Sequence, residues 1–298
     1  MESFICNQCP RRCGALRGQE SPGAGAGACR MGARASVARM ALHFDEEPCI
    51  SGKEGSGAVF FSGCALRCVF CQNEAISHGC FGAEISDEQL RAGFERLIGD
   101  GANNINLVNP THFGHVLGRV LGDLPVPVIW NSGGYELPET LKGFEGKVDV
   151  YLPDLKYIDP ISARRYSGAP DYFAFAAPAL KEMLRQVGGV KLDERGIIKR
   201  GLIVRHLILP GRARESMRVL DWIAENLPGA WVSLMAQYMP FAQAEKYPEI
   251  NRRITQEEYD LVADHLLELG LEDGYVQELG ASDEKYLPAF DLTGVTTP

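Results

Sequence analysis

Nine cysteines are spread unevenly over 298 residues, at positions 6, 9, 13, 29, 49, 64, 68, 71 and 80. The string Gly63-Cys64-Ala65-Leu66-Arg67-Cys68-Val69-Phe70-Cys71-Gln72-Asn73 carries a C-x3-C-x2-C spacing. Three thiolates on one short loop can bind three irons of a cubane [4Fe–4S] cluster but not the fourth, whereas ordinary ferredoxin clusters take four cysteines. The open iron suits chelation by the amino and carboxylate groups of S-adenosylmethionine. One electron from the reduced cluster would then break the sulfonium–carbon bond. Cys80, nine residues after Cys71, is the alternative fourth ligand and would make the loop an electron-transfer site; a zinc site is the other alternative.

A second group, Cys6, Cys9, Cys13 and Cys29, has four thiols and no obvious open position. Such a set suits structural zinc or a closed iron–sulfur cluster, and the spacing does not choose between them. The segment around it is poor in periodic apolar residues, and Ser21 to Ala28 is Gly/Ala-rich, so a bound metal would supply order that burial cannot. Without a metal, the segment would be a mobile reduced tail.

The elements that must position these cysteines follow a β/α alternation. Ala58–Phe61 is a short apolar run leading into the cysteine loop and reads as a buried first strand. Further strands are expected at 104–108, 126–130, 149–155, 202–209 and 230–235. Ser86 with Gln89, and Thr255 with Glu258, are capping boxes that predict helices running to about Ile98 and Leu269. Glu215 to Asn226 carries Met217, Leu220, Trp222 and Ile223 at helical spacing. Repeated β-then-α units imply a parallel sheet, and six of them suit an open, partial (β/α)6 barrel of the TIM-like kind. The expected division is a cysteine-rich N-terminal extension and connector at 1–56, with the α/β core at 57–298.

Composition narrows the class. Of the residues 45% are apolar, enough for one substantial core, and the formal net charge is −9. An acidic balance argues against broad nucleic-acid or anionic-membrane binding, which needs a basic face. No apolar run approaches the ~20 residues of a membrane span, and the N-terminus lacks the features of a secretory signal, so the expected location is the cytoplasm.

The loop and the alternation resemble radical S-adenosylmethionine enzymes of the pyruvate formate-lyase activating type, in particular an uncharacterised branch of that group. The phrases that carry the likeness are CPRRCG (9–14), EEPCISG (46–52), FFSGCALRCVFCQN (60–73), NINLVNPTH (104–112), YLPDLKY (151–157) and VRHLILPG (204–211). They run across essentially the whole chain.

The resemblance implies that Cys64, Cys68 and Cys71 hold the [4Fe–4S] cluster, with S-adenosylmethionine across the carboxyl ends of the strands. Asn109-Pro110-Thr111 stands where the activating enzymes carry Gly-Gly-Glu, so Asn109 or Thr111 would accept from the methionine amino group without supplying a carboxylate. Asn131 and Ser132 match an Asp-Thr-Asn-Gly segment, with Asn131 replacing the acid. Asp154 and Lys156 match the family's Asp-x-Lys near the methionine carboxylate, Arg205 an arginine of the same pocket, and Gln237 with Tyr238 the neighbourhood of a histidine by the adenosine. Independently of the family, polar residues at the carboxyl ends of apolar parallel strands are where such folds place chemistry. Taken alone, Asp154, Lys156 and Arg205 also read as a structural ion-pair set.

The expected function is hydrogen abstraction by a 5′-deoxyadenosyl radical, an oxidoreductase reaction. The resemblance implies flavodoxin or ferredoxin as electron donor and, as target, a glycyl-radical enzyme, another protein or peptide, or a small metabolite. The alternative is a non-catalytic iron–sulfur protein of electron transfer or assembly. Cys49 and Cys80 read as small buried hydrophobes, and His112 and His115 as packing or hydrogen-bonding residues. His206 should face the helix layer, opposite Arg205. His43 and His265 have no partner visible in sequence.

Overall fold

The computed structural model describes residues 3–18, 27–280 and 288–295. Most of the Gly/Ala-rich stretch, Ser21 to Ala26, lies outside the described residues. The strands are β1 (Phe4–Ile5), β2 (Leu16–Arg17), β3 (Ala35–His43), β4 (Ser56–Phe61), β5 (Ala83–Ile85), β6 (Ile105–Val108), β7 (Val128–Ser132), β8 (Val150–Pro153), β9 (Lys191–Leu192), β10 (Ile198–Leu207), β11 (Trp231–Met235) and β12 (Gly274–Val276). The helices are α1 (Pro48–Ser51), α2 (Glu74–Ser77), α3 (Asp87–Gly99), α4 (Gly114–Val120), α5 (Pro138–Lys142), α6 (Pro160–Ser167), α7 (Tyr172–Val187), α8 (Ala213–Asn226) and α9 (Gln256–Glu268).

The large sheet is mixed but dominated by parallel pairing. β4, β6, β7, β8, β10, β11 and β12 lie side by side in chain order, each parallel to the next. β3 adds antiparallel to β4, and β5 antiparallel to β3. The six expected strands are present within a few residues of their expected bounds. Both capping boxes form, Ser86 with Gln89 ahead of α3 and Thr255 with Glu258 ahead of α9.

Because side chains alternate along a strand, the register sorts them onto two faces. Val59, Phe61, Leu107, Trp130, Tyr151, Leu202, Val204, Val232 and Leu234 join Leu90, Phe94, Leu117, Leu180, Met183, Leu220, Ile223 and Val262 of the helices in the main core. The other face carries Ala58 and Phe60, then Ile129, Val150, Leu152 and Ile203. It also bears the polar residues Asn106, Asn131 and Arg205, which share the parity of those apolar positions.

The connector expected up to residue 56 is not a connector. Ala35–His43 is a nine-residue strand, and Cys49 and Ile50 of α1 pack against Ile129, Val150, Leu152 and Ile203. Pro48 at the first helical turn sets the start of α1. The α1 carbonyls of Ile50 and Ser51 accept from Asn104 Nδ2 and Asn103 Nδ2, both at 2.8 Å, which fixes the helix at the amino ends of the strands. Near the C-terminus, Leu292 N donates to Ala38 O at 3.0 Å, and Met40 N to Thr293 O at 2.9 Å. Leu292 and Thr293 thereby lie along β3. No helix among the described residues is long and apolar enough to cross a membrane.

Candidate metal and cofactor site

The 64–71 loop leaves the carboxyl end of β4 and is folded by bonds to three distant segments. Gly63 N donates to Ile76 O at 2.8 Å, Val69 N to Tyr166 O at 2.8 Å, and Gln243 N to Val69 O at 2.8 Å. Gly63 itself is in the left-handed region at φ +79°, and a Cβ there would stand 2.5 Å from Cys29 O and from Met31 Cγ. Leu66, Cys68 and Phe70 point into the core, where the Phe70 ring meets Tyr238 edge-on at 5.8 Å.

The sulfurs face hydroxyl donors. Ser167 Oγ donates to Cys68 Sγ at 2.9 Å, and Ser77 Oγ to Cys71 Sγ at 3.2 Å. Burial, then the neighbouring Cys68 and Cys64 thiols, push Cys71 up to about 12, and burial with Cys68 raises Cys64. Free thiols at Cys64 and Cys71 would therefore stay protonated. A bound metal reverses that, because a coordinating thiol is deprotonated outright and the hydroxyls then donate to thiolate. Cys80 turns elsewhere: its Sγ lies 3.7 Å from His78 O, and its backbone is left-handed at φ +56°.

Of the polar residues anticipated at the strand ends, Lys156 and Asn109 lie beside this loop. Lys156 pairs with Asp154, and against the effect of burial Asp154 and the Cys68 thiol raise its pKa. Asn109, left-handed at φ +60°, clamps the loop by donating from Nδ2 to Gly63 O at 2.5 Å. Asn131 lies on the polar face with its Nδ2 3.3 Å from Glu46 Oε1. Ser132 accepts from Gly134 N at 3.3 Å. Gln237 accepts from Gln277 Nε2 at 3.2 Å.

Two expected cofactor contacts are engaged otherwise. Thr111 Oγ1 donates to the buried Glu136 at 2.6 Å, and Tyr238 is buried with its hydroxyl on Ile250 O at 2.8 Å. Tyr238 supports Phe70, the aromatic before the last loop cysteine. Of the histidines, His206 is buried on the helix side with Nδ1 2.6 Å from Leu155 O. His112 and His115 hold Ser62 O and Ala33 O at 2.7 and 2.8 Å. His265, without a visible partner in the sequence, meets Asp221 Oδ1 at 2.7 Å.

Arg205 holds the feature that sequence reasoning missed. Its guanidinium pairs with both Glu46 and Glu47, its Nε reaching Glu47 Oε1 at 2.7 Å. Burial opposes ionisation of Glu47, yet the Arg205 charge and hydrogen bond hold its carboxyl below the usual range. Asn106 Nδ2 adds a bond to Glu46 Oε1 at 2.9 Å. The two acids precede Pro48 at a helix start, and that Glu-Glu-Pro string is the one local signal that they enter the fold at a fixed place.

Three of the four N-terminal cysteines, Cys6, Cys9 and Cys13, lie between the strands of the β1–β2 hairpin. Phe4 pairs with Arg17 and Ile5 with Leu16, and Cys6 N donates to Ala15 O at 2.9 Å, so Cys9 and Cys13 lie in its loop. Cys6, Cys9 and Cys29 are buried and Cys13 is exposed. Among the described residues, no three His, Cys, Asp or Glu side chains converge where one metal ion could sit.

No protein-family model matches the chain. The crystal structure of methylornithine synthase (PylB) has a TM-score of 0.46 and 13% identity to it, over 83% of this chain and 74% of that one, a likeness too distant to assign any chemistry. The uncharacterized protein MJ0674 of Methanocaldococcus jannaschii is 31% identical over 266 residues, covering 86% of this chain and 72% of that protein. At that identity and coverage, the chain belongs to the same protein family as MJ0674.

Proposed function

We propose that this chain is a radical S-adenosylmethionine enzyme, with Cys64, Cys68 and Cys71 as the protein ligands of a [4Fe–4S] cluster. One observation carries the reading. Three thiols share a loop at the carboxyl end of the first parallel strand, two of them under hydroxyl donors, while Cys80 is turned to His78 O. When bound, the cluster supplies the electron that splits S-adenosylmethionine into methionine and a 5′-deoxyadenosyl radical, which takes a hydrogen atom from the substrate.

The chain's own contribution is positioning. Lys156, half-buried and paired with Asp154, is the cation available to a methionine carboxylate beside the loop. Asn131 and Arg205 lie on the sheet's polar face, both bound to Glu46. The sequential parallel sheet is read as a partial (β/α)6 barrel, with β3 and α1 belonging to it. The substrate stays at the level of a hydrogen donor reaching the rim. A glycyl-radical enzyme as target comes from the resemblance alone, and Asn109-Pro110-Thr111 departs from the Gly-Gly-Glu that holds the methionine amino group in the activating enzymes, Thr111 bonding to Glu136.

The test is anaerobic reconstitution with iron and sulfide, then dithionite and S-adenosylmethionine. Formation of 5′-deoxyadenosine is expected; a reduced cluster that binds no S-adenosylmethionine and releases no 5′-deoxyadenosine returns the loop to the electron-transfer alternative.

A further inference from the structure

The N-terminal hairpin contains a buried charge with no acidic partner. Arg17 is 1% exposed. Its guanidinium donates to His112 O at 2.6 Å, to Gly32 O at 3.3 Å and to Cys29 Sγ at 3.0 Å. Its Nε has no partner, and none of the ion pairs among the described residues includes it. An isolated buried cation is costly, and proteins normally answer it with an opposite charge.

The groups facing Arg17 that can take up that charge are sulfurs. Gly27 brings Cys13 close, since a Cβ on Gly27 would lie 3.2 Å from Cys13 Sγ. Cys29 feels Arg17, Cys6 and Cys13; Cys9 feels Cys29, Cys6 and the buried Glu136. A neutral thiol carries no charge to set against the guanidinium that donates to Cys29 Sγ at 3.0 Å. Four thiolates around a 2+ centre, by contrast, carry a net charge of −2 in the arithmetic of a zinc ion and of an oxidised [4Fe–4S] core alike.

Geometry separates those two. A single zinc ion draws four sulfurs to ~2.3 Å from one point. A cubane instead takes each thiolate at its own corner. The four thiols act on one another electrostatically yet do not converge on one point.

The hairpin is also fastened to the 64–71 loop. Arg11, between Cys9 and Cys13, donates from Nε to Ala65 O at 2.9 Å and from its terminal nitrogens to Ser167 O at 2.9 Å and Gly168 O at 2.6 Å. Ser167 is the residue whose hydroxyl reaches Cys68.

We propose that Cys6, Cys9, Cys13 and Cys29 hold a second iron–sulfur cluster, fully ligated by protein and charge-balanced by Arg17, which Arg11 ties to the loop of the first. The proposal stands whether or not the first site cleaves S-adenosylmethionine.

The test uses the full chain carrying Cys64→Ala, Cys68→Ala and Cys71→Ala, purified and reconstituted anaerobically. About four irons and four sulfides per chain should remain, with the EPR signal of a reduced cluster. Retention of one zinc without sulfide, or of no metal, overturns the proposal. Should the triple variant fail to fold, Cys6→Ser with Cys9→Ser in the otherwise native chain replaces it. Iron should then fall from about eight to about four per chain; unchanged iron overturns the proposal. Arg17→Gln should lower cluster retention and move its reduction potential downward, with Arg17→Lys restoring both in part. A merely structural arginine would leave the potential where it was.

Discussion

Arg205 on β10 and Glu47 ahead of α1 meet at 2.7 Å, although 158 positions separate them in the chain. With Glu46 they form a trio in which two carboxylates share one guanidinium, on the sheet face against which α1 packs. Removing the cation would leave two buried acids facing each other. Arg205→Met should therefore destabilise the protein by about 3–5 kcal/mol. Adding Glu46→Gln and Glu47→Gln should recover part of that loss. Urea unfolding of the parent and the two variants checks this, and a single-variant loss under about 1 kcal/mol would show that the trio is not holding the fold.

Cys68→Ala and Cys80→Ala should part company. The first removes a sulfur that receives the Ser167 hydroxyl and should abolish 5′-deoxyadenosine formation. The second removes a thiol directed at His78 O and should leave iron binding at the 64–71 loop and turnover within about two-fold of the parent. Iron content and product formation, measured side by side, check both.

Three histidines, two of them buried and one half-buried, should make the fold acid-sensitive. Burial lowers His112 to about 3, and His115 and His206 to about 4. In the unfolded chain each titrates near ~6.5. Their contribution is complete above that value and is lost as pH falls toward 4, because the unfolded chain then binds protons that the folded one refuses. The limiting slope is about 1.4 kcal/mol per pH unit for each histidine. Unfolding free energies between pH 7 and pH 4.5 should fall accordingly, and His206→Gln should flatten the profile. Equal slopes for parent and variant would contradict the assignment.

Gly63→Ala places a methyl group against Cys29 O at a left-handed position. It should cost at least 1 kcal/mol and loosen the contact between the hairpin and the cysteine loop. Limited proteolysis should cut the variant faster between residues 3 and 34, while the sheet keeps its far-ultraviolet dichroism.

Much of this molecule could be read along the chain because the relevant signals are local. Ala58–Phe61 is uniformly apolar and followed at once by the loop cysteines, and both capping boxes are complete within four residues. Ala35–His43 escaped because its run of Ala, Arg, Met and Leu has no marked strand preference, and pairing with β4 decides its conformation. Glu46 and Glu47 escaped for a related reason. Two acids before a proline read as solvated until a guanidinium from the far end of the sheet arrives. The buried settings of Thr111 and Tyr238, with their hydroxyls on Glu136 and Ile250 O, depend on distant segments and leave no local signal.

The short helix α1 stoppers one end of the strands, with Cys49 and Ile50 wedged among Ile129, Val150 and Leu152. A guest on the polar face should therefore arrive from the opposite, carboxyl end of the strands, where the 64–71 loop leaves β4.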